Sequence, residues 1–491
     1  MTTSLDAALT VLLDPALEPI VELVVSRESA GRFAARAVDG TVTFERSDDG
    51  GHRVVEVSGR NPLGDQATDR FADAADELAH LFPHRTENAY PFAYEQVSQI
   101  WDHPHAPDLV VLHTAAHHWA DQGGHIGEHG SIGAVQARAP FVLSGRGVRH
   151  GGMLERAAQL VDVAPTVCAL AGVAPLDDTG RFLSRQDGTA MLDLLDPTER
   201  PDHVIGFLLD GCNPNVLYAM AASGEAPNIA RLMAEGTTFA HGVVSSLPTI
   251  TLANHTTAMT GAHPGHHGIL HNAWWDREQG RQIVTNDATA WANAMTFLAP
   301  GTESIHDAMR RTWPEAFTAS VNEPADAGAV YSTFDLMRRR VRSGFPKTPE
   351  GLPHSSERFV RPFKDYAWYT QVDHHGLLQT LGLLAGRFLD TDYPLPRYLW
   401  VNFALTDTAF HEGGPHSDIA RASVRDTDGR IGEILDALDR RGVLDRCAFY
   451  VVADHGMETS NPAVTGDWDA ALRHAGLDFR DEAYGFVYLN P

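Results

Sequence analysis

Apolar and polar positions along the chain follow three different patterns. Between residues 18 and 60 short alternating runs, Ile20–Ser26, Thr41–Arg46 and Val54–Ser58, are separated by turn signals at Asp39-Gly40 and Asp48–Gly51. Alternation at a period of two with tight turns predicts a small antiparallel sheet. Residues 67–82 repeat apolar side chains at Phe71, Ala74, Leu78 and Leu81, which predicts a helix with those four on its buried face. The second pattern consists of uninterrupted apolar runs at Asp108–His113, Ala139–Ser144, His203–Leu209, Leu399–Leu405 and Cys447–Ala453. Such runs read as strands buried on both faces. Helical stretches separate them: Arg156–Leu170 with a break near Val161–Thr166, Ala226–Met233, and Ser423–Arg441 with Ile431, Ile434, Leu435 and Leu438 inward. Alternation of this kind predicts an α/β fold, a mainly parallel central sheet with helices on both faces.

The third pattern is a stretch with no comparable buried runs, about 273–395. It holds Trp274, Trp275, Trp291, Tyr331, Phe334 and Trp368, and we read it as a cap or insertion over a pocket. The loop-rich segment at about 172–202 marks the main boundary, between a portion of residues 1–190 and a core portion of residues 203–491.

With 491 residues the chain is long enough for a large core. Its formal charge of −26 argues against a nucleic-acid scaffold but not against a phosphate-ester substrate, because bound cations invert a local field. The three cysteines, Cys168, Cys212 and Cys447, are too few and scattered for a disulfide framework. No basic and apolar leader and no run of about 18 apolar residues stands out, so the expectation is a cytoplasmic protein without membrane contact. The oligomeric state is open.

In parallel sheets ligands bind at the carboxyl ends of strands. Three apolar strands end in acidic residues: Asp210 with Gly211, Asp407 with His411 four residues on, and Asp454 with His455. Between them Thr251 stands where a loop becomes a helix, and a helix N-terminus favours phosphate oxygens and a developing alkoxide. Carboxylates and imidazoles without thiolates suit zinc, with manganese as an alternative. Taken singly, each feature has a structural reading as well. Thr251 could be an N-cap, Asp210-Gly211 a turn, Asp454-His455-Gly456 a strand-ending turn, and Asp407 with His411 a local hydrogen bond.

Taken together, Leu209-Asp210-Gly211, Pro227-Asn228, Pro248-Thr249-Ile250-Thr251, Asn254-His255, Thr260-Gly261, Pro264, His267-Gly268-Ile269, Asn272, Asp407 with His411, and Asp454-His455-Gly456-Met457 resemble the alkaline phosphatase superfamily. The nucleotide pyrophosphatase/phosphodiesterase branch is most similar, and the motifs fall in its order. The resemblance implies a hydrolase of phosphate esters with two divalent metal ions and a small phosphate-ester or nucleotide substrate. Thr251 would be the nucleophile. Asp210, Thr251, Asp454 and His455 would hold one ion and Asp407 and His411 the other, and Asn272 would donate to a phosphoryl oxygen. Hydrolysis of a phosphonate or phosphomonoester is the alternative, and a metal-binding protein without turnover is the alternative from another class. The resemblance also implies one more metal histidine in a Gly-x-His-Gly motif well after Asp454. His474 lies instead in what reads as a helix end. The motif occurs early, at Gly127-Glu128-His129-Gly130, followed by Ala139–Gly145 and Val161–Thr166. Residues 1–190 would then be the back portion of the fold in circularly permuted order, with His129 completing the second site; the alternative for His129 is a surface histidine in a glycine loop. His113, His117, His118 and His125 are read as histidines of the loop or of the surroundings of the metal ligands, and His255 as packing or hydrogen-bonding within the helix.

Overall fold

Buried apolar strands pair side by side when each can be covered from both faces, and five of the runs named above fall into two sheets. The computed structural model describes residues 4–48, 50–120, 124–286, 290–341 and 362–490. Asp49 of the Asp48–Gly51 turn, and residues 287–289 and 342–361 of the expected cap, lie outside the described residues.

The larger sheet has eight strands, in the order Tyr331–Ser332, Thr318–Val321, Tyr398–Phe403, His203–Leu209, Cys447–Val452, Phe141–Gly145, Thr237–Phe239 and Gly152–Leu154. His203–Leu209 lies at its centre, parallel to both neighbours, with Leu209 opposite Phe403 and Leu208 opposite Val452. That register brings three chains out of the sheet at one level, so Asp210, Asp407 and Asp454 follow the ends of adjacent strands. Phe141–Gly145 runs antiparallel to Cys447–Val452, so the sheet is mainly and not wholly parallel. Helices cover the sheet in two groups. Asp418–Arg440 packs on Pro227–Glu235, while Val163–Ala171 packs on Thr251–Thr260 and Ile305–Thr312. In Asp418–Arg440 the expected Ile431, Ile434, Leu435 and Leu438 are buried, but the helix starts earlier than the apolar spacing predicts, because Ser417 caps it by accepting from Ala420 N–H.

The second sheet has seven strands, all paired antiparallel: Phe479–Glu482, Phe486–Leu489, Leu109–His113, Val21–Ser29, Arg32–Ala37, Gly40–Arg46 and His52–Gly59. Leu109–His113 thus belongs here and not to the parallel sheet; an apolar run of five residues states burial but not the partner. Trp274 and Trp275 sit in a hairpin, Ala273–Asp276 with Arg281–Val284, that packs on this sheet beside Phe33, Phe44, Trp101 and Tyr488. The stretch 273–395 also supplies Thr318–Val321 and Tyr331–Ser332 to the edge of the larger sheet, so that part of it is core.

The helix expected over 67–82 is confined to Ala74–Ala79, and its apolar face is not the buried one. Leu78 and Leu81 are exposed, whereas Glu77 is buried. The reason is polar: Glu77 accepts from Asn213 Nδ2 at 3.0 Å, Asn215 Nδ2 at 2.6 Å and His416 Nε2 at 2.8 Å, tying this segment to the turn after Asp210. Arg156–Gln159, expected to be helical, lie outside the helix, which is Val163–Ala171 preceded by a tight turn at Leu160–Asp162. The portions 1–190 and 203–491 interlock. Gly127–Glu128 pairs with Glu458–Thr459, Arg138–Ala139 with Val243–Val244, and Phe486–Val487 with Leu109–Val110. Among the described residues no helix is long and apolar enough to cross a membrane.

Candidate active site

Asp210 is the first residue past the central strand. Gly211 follows with φ +64°, and a Cβ there would lie 2.6 Å from Asp407 Oδ1, so only glycine lets the Asp210 turn pass this close to Asp407. Asp454 leaves the neighbouring strand and accepts the Gly211 N–H through Oδ1 at 2.9 Å. Its other oxygen, Oδ2, is buried without a hydrogen-bond partner and lies 3.0 Å from His455 Nε2. His455 Nδ1 is bonded to Gly456 O at 2.9 Å, which leaves Nε2 turned to the carboxylates.

Asp407 and His411 lie one turn apart on Leu405–Gly413, with His411 Nε2 3.5 Å from Asp407 Oδ1. The start of that helix is held by Asp373, which accepts Ala404 N–H at 2.9 Å and Leu405 N–H at 3.2 Å. His129 comes to the same place from the early part of the chain. Its Nε2 is 3.2 Å from His411 Nε2 and 3.9 Å from Asp407 Oδ1. Both imidazoles are bonded through Nδ1 to a backbone carbonyl, His129 to Thr249 O at 2.8 Å and His411 to Gly127 O at 2.7 Å. A carbonyl can only accept, so each Nδ1 carries the proton and the two Nε2 lone pairs face each other. Two lone pairs at that distance repel unless a cation lies between them. Ligand nitrogens about 2.0–2.1 Å from a tetrahedral ion would be about 3.3 Å apart. The His129 loop is fixed by glycine and by Thr249. A Cβ on Gly127 would meet Phe410 O at 2.2 Å, and Thr249 Oγ1 accepts Gly130 N–H at 3.0 Å while donating to Ser131 O at 2.8 Å.

Thr251 is the first residue of Thr251–Thr260; the capping position is Ile250, with no side-chain cap. The threonine is therefore not an N-cap, and its hydroxyl stands at the positive end of the helix dipole. His255, one turn later on the same face, is fully buried. Its Nδ1 is bonded to Glu323 Oε1 at 3.0 Å, and its Nε2 lies 3.4 Å from Asp454 Oδ2 and 3.6 Å from Asp210 Oδ2. The reading of His255 as a packing residue omits this second face. Asn272 has a buried Oδ1 without a partner.

The electrostatics are those of a site short of positive charge. Burial, then the negative charges of Asp454 and Asp407, hold the Asp210 carboxyl well above the usual carboxylate range. Burial pushes the Asp407 carboxyl up to about 6. Burial, with the neighbouring His455 and His411, holds the His129 imidazole well below its ordinary value, and burial brings His411 down to about 4. The neutral imidazoles of His129 and His411 are in the form that binds a cation. Burial also opposes protonation of His455 and His255, but the charges of Asp454 and Glu323 outweigh it and raise His455 to about 9 and His255 well above its ordinary value. Asp210 Oδ1, Asp407 Oδ1, Asp454 Oδ2, His455 Nε2 and His255 Nε2 all lack hydrogen-bond partners in buried surroundings. Oxygen and nitrogen donors, so placed, fit divalent ions. Three groupings put their donor atoms within 4.8 Å of one another: Asp210 with His255 and Asp454, His129 with Asp407 and His455, and His125 with Glu128 and His411. Glu128 and His255 were not expected among the cation-binding groups.

The remaining histidines divide. The His125 ring lies 4.6 Å from that of His411, and His118 Nδ1 is bonded to Ser460 Oγ at 3.0 Å. His113 and His117 stack on each other beside Trp119, with Trp468 Nε1 donating to His113 Nε2 at 2.9 Å. His474 ends a helix, as expected.

Among curated proteins the chain is similar to an uncharacterized pyrophosphatase/phosphodiesterase of Schizosaccharomyces pombe, 25% identical over 52% of this chain and 44% of that protein. It is similar to human ectonucleotide pyrophosphatase/phosphodiesterase family member 7, 20% identical over 54% of this chain and 51% of the relative, and to alkaline phosphatase PafA of Elizabethkingia meningoseptica, 29% identical over 21% and 19%. The chain spans about half, or less, of the length of these relatives. Among solved structures, murine ectonucleotide pyrophosphatase/phosphodiesterase 5 aligns with TM-score 0.34 and 16% identity, covering 52% of this chain and 57% of that one. Phosphonoacetate hydrolase from Sinorhizobium meliloti aligns with TM-score 0.33 and 20% identity over the same shares. The family model of type I phosphodiesterases and nucleotide pyrophosphatases matches residues 204–491, more than half of the chain. Asp210, Thr251, Asn272, Asp407, His411, Asp454 and His455 all fall inside that match, and the chain belongs to the type I phosphodiesterase / nucleotide pyrophosphatase family.

Proposed function

We propose that this chain is a metal-dependent hydrolase of phosphate esters, a phosphodiesterase or nucleotide pyrophosphatase with Thr251 as its nucleophile. The observation that supports it most is the facing of His129 Nε2 and His411 Nε2 at 3.2 Å beside Asp407, each with its proton committed to a backbone carbonyl. Asp210, Thr251, Asp454 and His455 would hold one ion and Asp407, His411 and His129 the other, zinc with manganese as the alternative. Two such ions, when bound, lower the pKa of a coordinated hydroxyl and offset charge on phosphoryl oxygens.

The residues divide the remaining work. The Thr251 hydroxyl gives up its proton to solvent and its oxygen forms a bond to phosphorus as the bond to the leaving alkoxide or phosphate breaks; the leaving group takes up a proton, and water then cleaves the threonyl ester. The helix N-terminus behind Thr251 stabilises the negative oxygens, and the Asn272 amide donates to one of them. In this reading residues 1–190 are the permuted back portion of the fold and bring His129. Three buried thiols, Cys168, Cys212 and Cys447, with no disulfide among them, support a reducing, cytoplasmic setting.

The test is metal content together with hydrolysis of bis-p-nitrophenyl phosphate beside p-nitrophenyl phosphate. The wild type is expected to carry two ions and to prefer the diester. Thr251→Ala is expected to lose at least about a thousand-fold in rate. Preference for the monoester would assign the chain to the phosphomonoester alternative. Equal, measurable rates in wild type and Thr251→Ala would overturn the nucleophile, whereas metal uptake without hydrolysis by the wild type would favour a binding protein without turnover.

A further inference from the structure

Four imidazoles surround the three carboxylates, and all four are built alike. His129, His411 and His455 each bond Nδ1 to a backbone oxygen and turn Nε2 inward. His255 does the same, but its acceptor is a carboxylate. Glu323 is fully buried and takes three donors: His255 Nδ1 at 3.0 Å and Ala325 N–H at 2.8 Å on Oε1, and Trp400 Nε1–H at 2.8 Å on Oε2. The backbone N–H and the indole N–H can only donate, so Glu323 is the acceptor throughout and His255 Nδ1 carries the proton. Its Nε2 is buried, has no hydrogen-bond partner, points between Asp454 Oδ2 and Asp210 Oδ2, and is the atom that could offer a lone pair to a cation there. Its 3.4 Å and 3.6 Å separations are long for hydrogen bonds to carboxylates. They are close to the separation of adjacent donors on one zinc-sized ion, where His255 would be a fifth ligand beside Asp210, Thr251, Asp454 and His455.

We infer that His255 is a nitrogen ligand of the cation held by Asp210 and Asp454, and that Glu323 is the residue that aims it. The inference rests on the two-ion reading above and adds to it an imidazole that the family pattern did not lead us to expect. A carboxylate behind the ring fixes the tautomer and raises the basicity of Nε2, and loss of such a partner typically lowers metal affinity about 10–100-fold.

Cobalt(II) titration, followed by visible absorption and by competition with a chelator of known affinity, tests this without any turnover assay. Glu323→Gln nearly preserves shape but removes the charge behind the ring, and its single amide oxygen cannot accept from His255 Nδ1, Ala325 N–H and Trp400 Nε1–H as the two carboxylate oxygens do. The expected result is two ions in the wild type, one of them weakened about 10–100-fold in Glu323→Gln and in His255→Ala, with a changed cobalt spectrum for that ion alone. Glu323→Asp, which restores the carboxylate, should recover part of the affinity. Unchanged affinity and spectrum in a folded Glu323→Gln would overturn the role of Glu323, and the same result in His255→Ala would overturn that of His255, leaving the two-ion reading standing. A wild type that takes up no cation would overturn both.

Discussion

The two halves of the site are made in different ways. Asp210, Asp454, His455 and His255 come from adjacent central strands and a packed helix, and their side chains are between 0% and 6% exposed. Asp407, His411 and His129 are between 12% and 21% exposed, and the last of them arrives on a loop from far away in sequence. In the first half Asp210, Asp454 and His455 follow strands fixed by sheet register, and His255 is held by a buried helix. The second depends on a clamp, the 127–131 loop against Thr249 and Phe410, whose hydrogen bonds are each worth only about 1 kcal/mol. Equal chemistry does not imply equal rigidity, and the second half should be the one that opens.

The two halves separate most clearly when each is disabled in turn. Asp454→Asn should leave one ion per chain and reduce hydrolysis by at least about a thousand-fold, whereas His129→Ala should keep the buried ion and lose closer to a hundred-fold. Dialysis of the wild type against a chelator, with metal counted over time, should show two phases, the faster one absent in His129→Ala. A single phase would mean that the halves are equally held. A smaller effect comes from the clamp. Gly127→Ala forces a methyl onto Phe410 O and should destabilise the chain by about 2 kcal/mol, measurable by urea denaturation. It should also accelerate only the fast phase of metal release. The smallest effect lies away from both halves. His266 bonds Asp187 through Nδ1 and Asp102 through Nε2, each at 2.7 Å, near Arg46 and His263. Burial works against protonation of this imidazole, but its bonds to the two carboxylates outweigh it and raise the value from 6.5 to about 9. A raised value means a contribution complete below pH 6.5 and lost as pH climbs through about 9. Asp102, lowered to about 2 by His266 and Arg46 against the effect of burial, keeps its own contribution until the medium is strongly acidic. His266→Gln should therefore flatten the alkaline fall in the urea midpoint, by about 1 kcal/mol or less, without changing either phase of metal release.

The contrast also explains what was legible in the sequence. Strands buried on both faces are written as unbroken apolar runs, so the three acidic strand ends could be read directly, and with them most of the rigid half. His129 carries no such signal; only the Gly-x-His-Gly resemblance brought it forward. The pairing of His255 with Glu323 joins residues 68 apart through contacts that no local period encodes. The segment 67–82 was misread for a related reason. Periodicity counts apolar positions, and there the buried position is Glu77, satisfied by Asn213, Asn215 and His416. Thr318–Val321 escaped because a four-residue strand of Thr, Ala, Ser and Val is too short and too polar to stand out.

The interlocking of the two sheets has a bearing on how the chain is made. Phe141–Gly145 waits for Cys447–Val452 as its neighbour, and Leu109–Val110 waits for Phe486–Val487. As the chain emerges from the ribosome, the early segments carry apolar strand edges whose partners have not yet been translated. The larger sheet cannot close before residue 452 has been made, nor the second before residue 489, and in that interval the nascent chain is a natural client for chaperones.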